Sequence, residues 1–126
     1  TYPAGSPYEA YTCSVNGIAN PDNVTFLNGK NTLIIGEDTG DHPNDFVWSY
    51  DLSTEKLTRI VTTPYGSETT SPYWYKDING FGYLSLVTQH PFGETNSGDV
   101  DFALAATATE TQKQSSVGVV GPFKSW

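Results

Sequence analysis

Methionine is absent from the 126 residues, and cysteine occurs once. A lone Cys13 excludes an intrachain disulfide and a thiolate zinc cluster, so it reads as a small, packed thiol. Basic residues are scarce: 6 Lys and Arg face 14 Asp and Glu, for a formal charge of -8. Nucleic acid and anionic membrane surfaces both need a dense basic patch, so neither is an expected partner. An acidic balance suits a divalent cation or a soluble extracellular life. No window approaches the ~20 continuous apolar residues of a membrane-spanning helix, and Thr1 opens no basic-then-apolar signal segment. The P-loop, the dinucleotide fingerprint, the G-x-S-x-G elbow and H-E-x-x-H are all missing, so serine-type nucleophilic catalysis has no support.

What remains is a β composition. Thr, Tyr, Val and Asn abound, and 12 Gly with 8 Pro supply many turns. Residues 1–20 read as an irregular approach with no period. Strands are expected near 24–27, 32–36, 46–52 and 57–63, joined by the turns "GKN" and "STEK" and by the polar loop "EDTGDHPND". Four short strands in this span match the period of one β-propeller blade. A second unit starts alike, with strands near 72–78 and 81–88 around Asn79-Gly80, the strongest hairpin signal in the chain. Beyond Glu94 the pattern fades into a polar tail. There "VDFALAATA" can make a brief strand or helix, and "VGVVGPF" (117–123) one last strand. The fold class is therefore all-β: antiparallel propeller blades in a single segment, with one blade over 21–63 and half a blade over 64–94. That amounts to about one and a half to two blades, an incomplete part of a larger ring. The remaining blades, or other chains, are the expected partners, because a lone blade leaves strand edges and faces exposed. Trp48, Tyr50, Tyr73, Trp74, Tyr75 and Tyr83 read as packing between blades.

Hairpin geometry places the polar segments. In an antiparallel pair, the start of the first strand and the end of the second share an edge. "PDN" (21–23) and "GED" (36–38) take those places in the first unit, and "GSET" (66–69) and "QHPFGE" (89–94) in the second. Asp22, Asn23, Glu37, Asp38, Glu68, His90 and Glu94 should therefore gather on one edge, while the opposite turns carry nothing comparable. Several convergent carboxylates suit Ca²⁺, which takes 6–8 oxygen ligands, and left unpaired they would raise one another's pKa. His90 alone specifies neither iron nor zinc. Asp22, Glu68 and Glu94 are the expected metal ligands, with Asn23, Glu37, Asp38 and His90 as further ligands or their supports. His42 reads as a solvated loop residue. Pro91 should end backbone donation and Gly93 should permit a sharp reversal that turns Glu94 back to the edge. Asn23-Val-Thr25 fits the N-glycosylation pattern, although its place at the acidic edge argues against that use.

At these residues the chain resembles the C-terminal part of the PhoX-type alkaline phosphatases. The resemblance covers residues 20–94 and is carried by "NPDNVTFLNGKNTLIIGED", "GSETTSP" and "GYLSLVTQHPFGE", the last being the most specific. It implies a six-bladed propeller, secreted or periplasmic, with calcium and iron (Fe³⁺) at its centre, that hydrolyses phosphate monoesters without a covalent protein nucleophile. Asp22 and Glu94 match acidic positions at the calcium end, and Glu68 matches the Glu of Glu-x-Thr-Gly-Pro. Ser71 departs from that motif's Gly, and Phe92 is inserted between Pro91 and Gly93. The family's iron-binding Cys and Glu and its phosphate-binding Arg fall in blades outside this chain, and Cys13 does not match by context. No catalytic residue is therefore assigned here, and the isolated chain is expected to be inactive toward a small phosphate ester. The competing expectations are a non-catalytic, calcium-stabilised β module that self-associates through strand edges, and another calcium propeller hydrolase such as a lactonase.

Overall fold

Alternation in "FVWSYDL" and "LTRIVTT", and the apolar run "TLIIG", do become strands in the computed structural model, which describes residues 2–124. Thr1, Ser125 and Trp126, the outer ends of the irregular approach and of the tail, lie outside the described residues. The strands are β1 (Pro21–Leu27), β2 (Thr32–Glu37), β3 (Asn44–Asp51), β4 (Lys56–Tyr65), β5 (Glu68–Ile78), β6 (Phe81–Gln89) and β7 (Ser116–Lys124), with one short helix, α1 (Phe102–Thr107), before β7. Strand accounts for 49% of the chain and helix for 5%, so the chain is mostly antiparallel β. It forms two open sheets, β1-β2-β3-β4 and β5-β6-β7.

Each sheet is an antiparallel meander built on short turns. In the first, Leu27 pairs with Thr32, and Thr32 with Asp51. In the second, Ile78 pairs with Phe81 across Asn79-Gly80. Both turn residues take positive φ, 53° and 85°, which the two-residue primed turns require and which Asn-Gly tolerates at low steric cost. The tail differs from a bare half blade. β7 pairs with β6 from Phe81–Lys124 to Thr88–Ser116, which adds a third strand, and "FALAAT" within the ambiguous stretch is helical.

The two sheets pack face to face through the side chains that strand parity turns inward. Leu27, Ile34 and Val47 of the first sheet meet Leu84 and Leu86 of the second, with Ile60, Val61, Trp74, Val120 and Phe123 packed around them. Burial of each such side chain is worth about 1.5–3 kcal/mol, so this cluster is the main cohesion between the layers. β1 and β5 are the neighbouring strands across the interface, and polar bonds join them at one end. Asn23 Nδ2 donates to the Thr69 carbonyl at 2.7 Å, and Thr69 Oγ1 donates to the Glu37 carbonyl at 3.1 Å. Gly36 makes that approach feasible. A Cβ there would lie 2.5 Å from Thr69 Oγ1 and 2.6 Å from Asn23 Oδ1.

Residues 2–20 carry turns but no strand or helix, as the absence of a period implied. Their rings pack with the loop after β2. Tyr2 lies 5.9 Å from His42 and 5.7 Å from Tyr11, centroid to centroid.

Candidate metal centre

The edge at which β1 begins and β2 ends is paired Pro21 to Glu37, and the matching edge of the second sheet is paired Glu68 to Gln89. Inter-sheet packing places these edges side by side. One potential ligand atom from each of Asp22, Asp38 and Glu68 lies within 4.8 Å of the others, and so do atoms of Glu68, His90 and Glu94. Glu68 belongs to both groups. Four separate chain segments therefore supply two groups joined at Glu68, although Asp22 and Glu94 are 72 positions apart in sequence.

The two neighbouring acids part at the end of β2. Glu37 turns to the face opposite Ile34 and Gly36, fully buried, where its carboxylate accepts from Ala19 N (2.9 Å), Phe46 N (2.9 Å) and Trp48 Nε1 (2.7 Å). Those donors occupy it as an anchor for β3 and the approach segment, so it takes no part in the edge cluster. Asp38, the next residue, points to the edge. Asn23 sits beside the cluster and is tied to both sheets. Its amide N–H groups serve the Thr69 carbonyl and Asp22 Oδ2 (3.0 Å), while its Oδ1 is buried against Gly36 with no hydrogen-bond partner. That engagement also leaves the sequon Asn poorly placed for a glycan.

Glu68 is the most enclosed acid of the cluster, its side chain 15% exposed. Its Oε1 accepts from Gln89 Nε2 at 3.1 Å, and its Oε2 lies 3.3 Å from His90 Nε2. Burial pushes its carboxyl upward, nearby Asp38 adds to the rise, and His90 opposes it. His90 Nε2 is also 3.9 Å from Glu94 Oε1. His90 Nε2 thus lies within 4 Å of a carboxylate oxygen of both Glu68 and Glu94. The carboxylates could hold a metal ion, in two groups that share Glu68: Asp22 and Asp38 on one side, His90 and Glu94 on the other. Iron finds no thiolate in either group. Cys13 sits instead near Asp41, which with burial raises the thiol's pKa.

The reversal after β6 differs from the expected one in its agent. His90 and Phe92 hold the left-handed conformations, at φ 30° and 63°, while Gly93 does not. Gly93 is needed for space: a Cβ on it would lie 2.7 Å from the His90 carbonyl. Gly93 N and Glu94 N both donate to the Gly66 carbonyl at 3.0 Å, and Phe92 N donates to Tyr65 O at 2.9 Å. Three backbone bonds thus clamp "QHPFGE" onto the β4–β5 connection. Phe92, the inserted residue, supplies one of them and one of the two strained angles.

Sequence reasoning placed His42 in solvent, and the structure corrects this. His42 is 3% exposed, its ring 4.8 Å from Phe46. Nε2 faces the Gly17 carbonyl at 3.1 Å, an acceptor only, so Nε2 carries hydrogen; Nδ1 then accepts from the Tyr2 hydroxyl at 2.8 Å in the neutral ring. Asp45 and Asp99 are two further acids that packing sets apart. Asp45 is buried, and its carboxyl is pushed up to about 8, first by burial and then by the negative field of Glu37, Asp38 and Glu94. Asp99 accepts from the Tyr65 hydroxyl at 2.5 Å. No local pattern distinguishes either from an ordinary loop acid; only tertiary packing does.

No family model, curated protein or solved structure matches this chain.

Proposed function

We propose that this chain is a calcium-binding segment of a larger PhoX-like propeller that hydrolyses phosphate monoesters, its sheets being consecutive blades. The observation that carries this reading is the convergence of Asp22, Asp38, Glu68, His90 and Glu94 where the edges of the two sheets adjoin. A bound cation there would neutralise the cluster and, in the assembled enzyme, supply the charge that steadies phosphoryl oxygens. Asp22, Asp38, Glu68 and Glu94 would hold it, with His90 positioned by Glu68.

On this reading the isolated chain should be inactive. Phosphoryl transfer needs cationic groups around the transferring oxygens. The one arginine, Arg59, is committed elsewhere, 4.0 Å above the Phe46 ring and 5.4 Å from Trp48, and donates to the Val15 carbonyl. Calorimetric titration with Ca²⁺, paired with a p-nitrophenyl phosphate assay, tests the proposal. Saturable calcium binding that Glu68→Gln weakens, with no turnover by the 126-residue chain, is the expected result. Absence of calcium binding removes the reading.

A non-catalytic β module is the second reading, and the outer sheet faces favour it. Val117 and Val119 of β7 are 75% and 65% exposed, and Val24 and Phe26 of β1 and Tyr73 and Tyr75 of β5 are open as well. Such faces call for cover from further blades or other chains. Export to the periplasm or beyond is part of the first reading and rests on the family resemblance. No helix among the described residues is long and apolar enough to cross a membrane.

A further inference from the structure

The second sheet ends on an open strand. Its order is β5-β6-β7, so the far edge of β7 faces no strand, whereas β3, the third strand of the first sheet, is covered by β4. Among the described residues, the backbone of β7 bonds only within its ladder to β6. The open edge of the first sheet is guarded: β4 carries Lys56, Arg59 and Pro64, the kinds of residue by which proteins discourage pairing along an edge. β7 has no such guard over "SVGVV", Ser116 to Val120, and Val117 and Val119 are 75% and 65% exposed. The register limits where a partner fits. Ser116 to Val120 pair regularly with Thr88 to Leu84, and the ladder shifts beyond, between Leu84 and Gly82, at the level of Gly121-Pro122. The regular stretch is thus centred on Gly118.

We propose that β7 pairs antiparallel with β7 of a second copy about a two-fold axis at Gly118, joining two three-stranded sheets into one. In that register Val117 faces Val119 of the other copy, Ser116 faces Val120, and Gly118 faces itself. The regular stretch is therefore complementary to itself, as a closed two-fold contact requires. Backbone hydrogen bonds hold the pair, and the two Val–Val pairs on the outer face add to them. Charge selects the antiparallel sense. Ser116 lies at the acidic end of the sheet: it pairs with Thr88, and Ser115 Oγ accepts from His90 N at 3.0 Å, beside Glu68 and Glu94. Lys124 lies at the other end, paired with Phe81. Antiparallel pairing sets Lys124 of each copy toward the acidic end of the other, and two chains of charge -8 meet along an uncharged stretch. The pairing takes up the second reading above, in which other chains supply cover, and names that cover for one edge. Mass and cross-links report on assembly whatever the p-nitrophenyl phosphate assay shows, so the two can fail separately.

Sedimentation equilibrium, with calcium chelated so that no cation bridges copies, should give a mass that rises with concentration from 13.7 kDa to twice that value. Val117→Lys puts a charge at an exposed position and should raise the dissociation constant of the dimer roughly tenfold, since each cross-strand pair occurs twice. Adding Val119→Asp supplies the opposite charge across the strands and should return the constant to within about threefold of wild type. Gly118→Cys in a Cys13→Ser background reads the register. A Cβ at Gly118 meets nothing within 4 Å, so the fold accepts it. Residues directly opposed in an antiparallel pair lie about 4.5–5.5 Å apart at Cα, within disulfide reach. Oxidised glutathione should link Gly118→Cys chains into dimers and leave unlinked the chains with Tyr73→Cys, an exposed position of β5. A chain that stays monomeric, a mass that grows beyond two copies, or a Val117→Lys loss that Val119→Asp does not restore overturns the proposal. So do links through Tyr73→Cys but not Gly118→Cys, which would mean that outer faces stack instead.

Discussion

The Glu68 carboxylate stands 3.3 Å from His90 Nε2 while sharing a second cluster with Asp22 and Asp38, so one side chain joins the acids of both sheets. Glu68 begins β5, directly beside the bonds from Asn23 and to Glu37 that hold the two layers together. The cluster is thus tied to the inter-sheet contact, and the proposed calcium site would draw on that preorganisation.

From this follows a ranking of the ligands. Glu68→Gln removes a charge common to both groups, whereas Asp22→Asn removes one from a single group. Calcium affinity measured by calorimetry should fall by about 10–100-fold for Glu68→Gln, within the range seen when metal sites are disturbed, and by less for Asp22→Asn. Equal losses would mean that the two groups act as one undivided site without Glu68 at its centre.

Glu37 and Asp38 offer a sharper contrast, because the last residue of β2 is buried while its neighbour joins the edge cluster. Glu37→Gln replaces one acceptor oxygen by NH₂, which must then face either Phe46 N or the pair Ala19 N and Trp48 Nε1. It should destabilise the fold by about 1–3 kcal/mol in urea denaturation while the folded protein keeps its calcium affinity. Asp38→Asn should do the reverse, weakening calcium binding with little change in the denaturation midpoint.

Asp45 predicts a pH dependence whose direction is fixed by burial. Its carboxyl is raised from 3.8 to about 8, so between those values the unfolded chain has released a proton that the folded chain retains. Stability from this group is therefore complete below about pH 4 and is lost as pH rises toward 8. The charged groups acting on it are Glu37, Asp38 and Glu94, and its one hydrogen bond comes from Thr39 N at 3.3 Å. With calcium chelated, the wild-type melting temperature should decline from pH 5 to pH 8, and Asp45→Asn should flatten that decline. A variant with the same slope as wild type would place the titration elsewhere.

Much of this architecture is legible in residue order. Period-two alternation and the Asn79-Gly80 turn locate six strands to within a few residues, because both are local signals. Antiparallel pairing then implies the shared edge, since the start of one strand and the end of the next must coincide. What parity decides is equally local, yet it needs one fixed point: knowing that Ile34 is inward fixes Gly36 inward and leaves the ends of the strand to local twist. The buried roles of His42 and Asp45 were illegible for a different reason. Both lie in "EDTGDHPND", whose polar composition reads as solvent, and both are covered by side chains remote in sequence, including Tyr2 and Tyr65. The buried indole N–H of Trp74, which has no hydrogen-bond partner, is a matter of packing alone, and no pattern encodes it.

The stretch "QHPFGE" supplies the last prediction. A turn serving only to connect would need no carboxylate, and three backbone bonds from Phe92, Gly93 and Glu94 already hold this one to Tyr65 and Gly66. Glu94 contributes no side-chain hydrogen bond among the described residues; its carboxylate is half exposed and reaches only toward His90, 3.9 Å away. Glu94→Gln therefore leaves the clamp and the fold intact, with a change in stability within about 0.5 kcal/mol, as for surface substitutions generally. Its effect should appear in calcium affinity, where one negative charge leaves the cluster, and the loss should be smaller than for the more enclosed Glu68. Calcium titration of both variants beside wild type decides the matter. If Glu94→Gln binds calcium as wild type does, the ligand set closes with Asp22, Asp38 and Glu68, and Glu94 is a surface acid on a connecting turn.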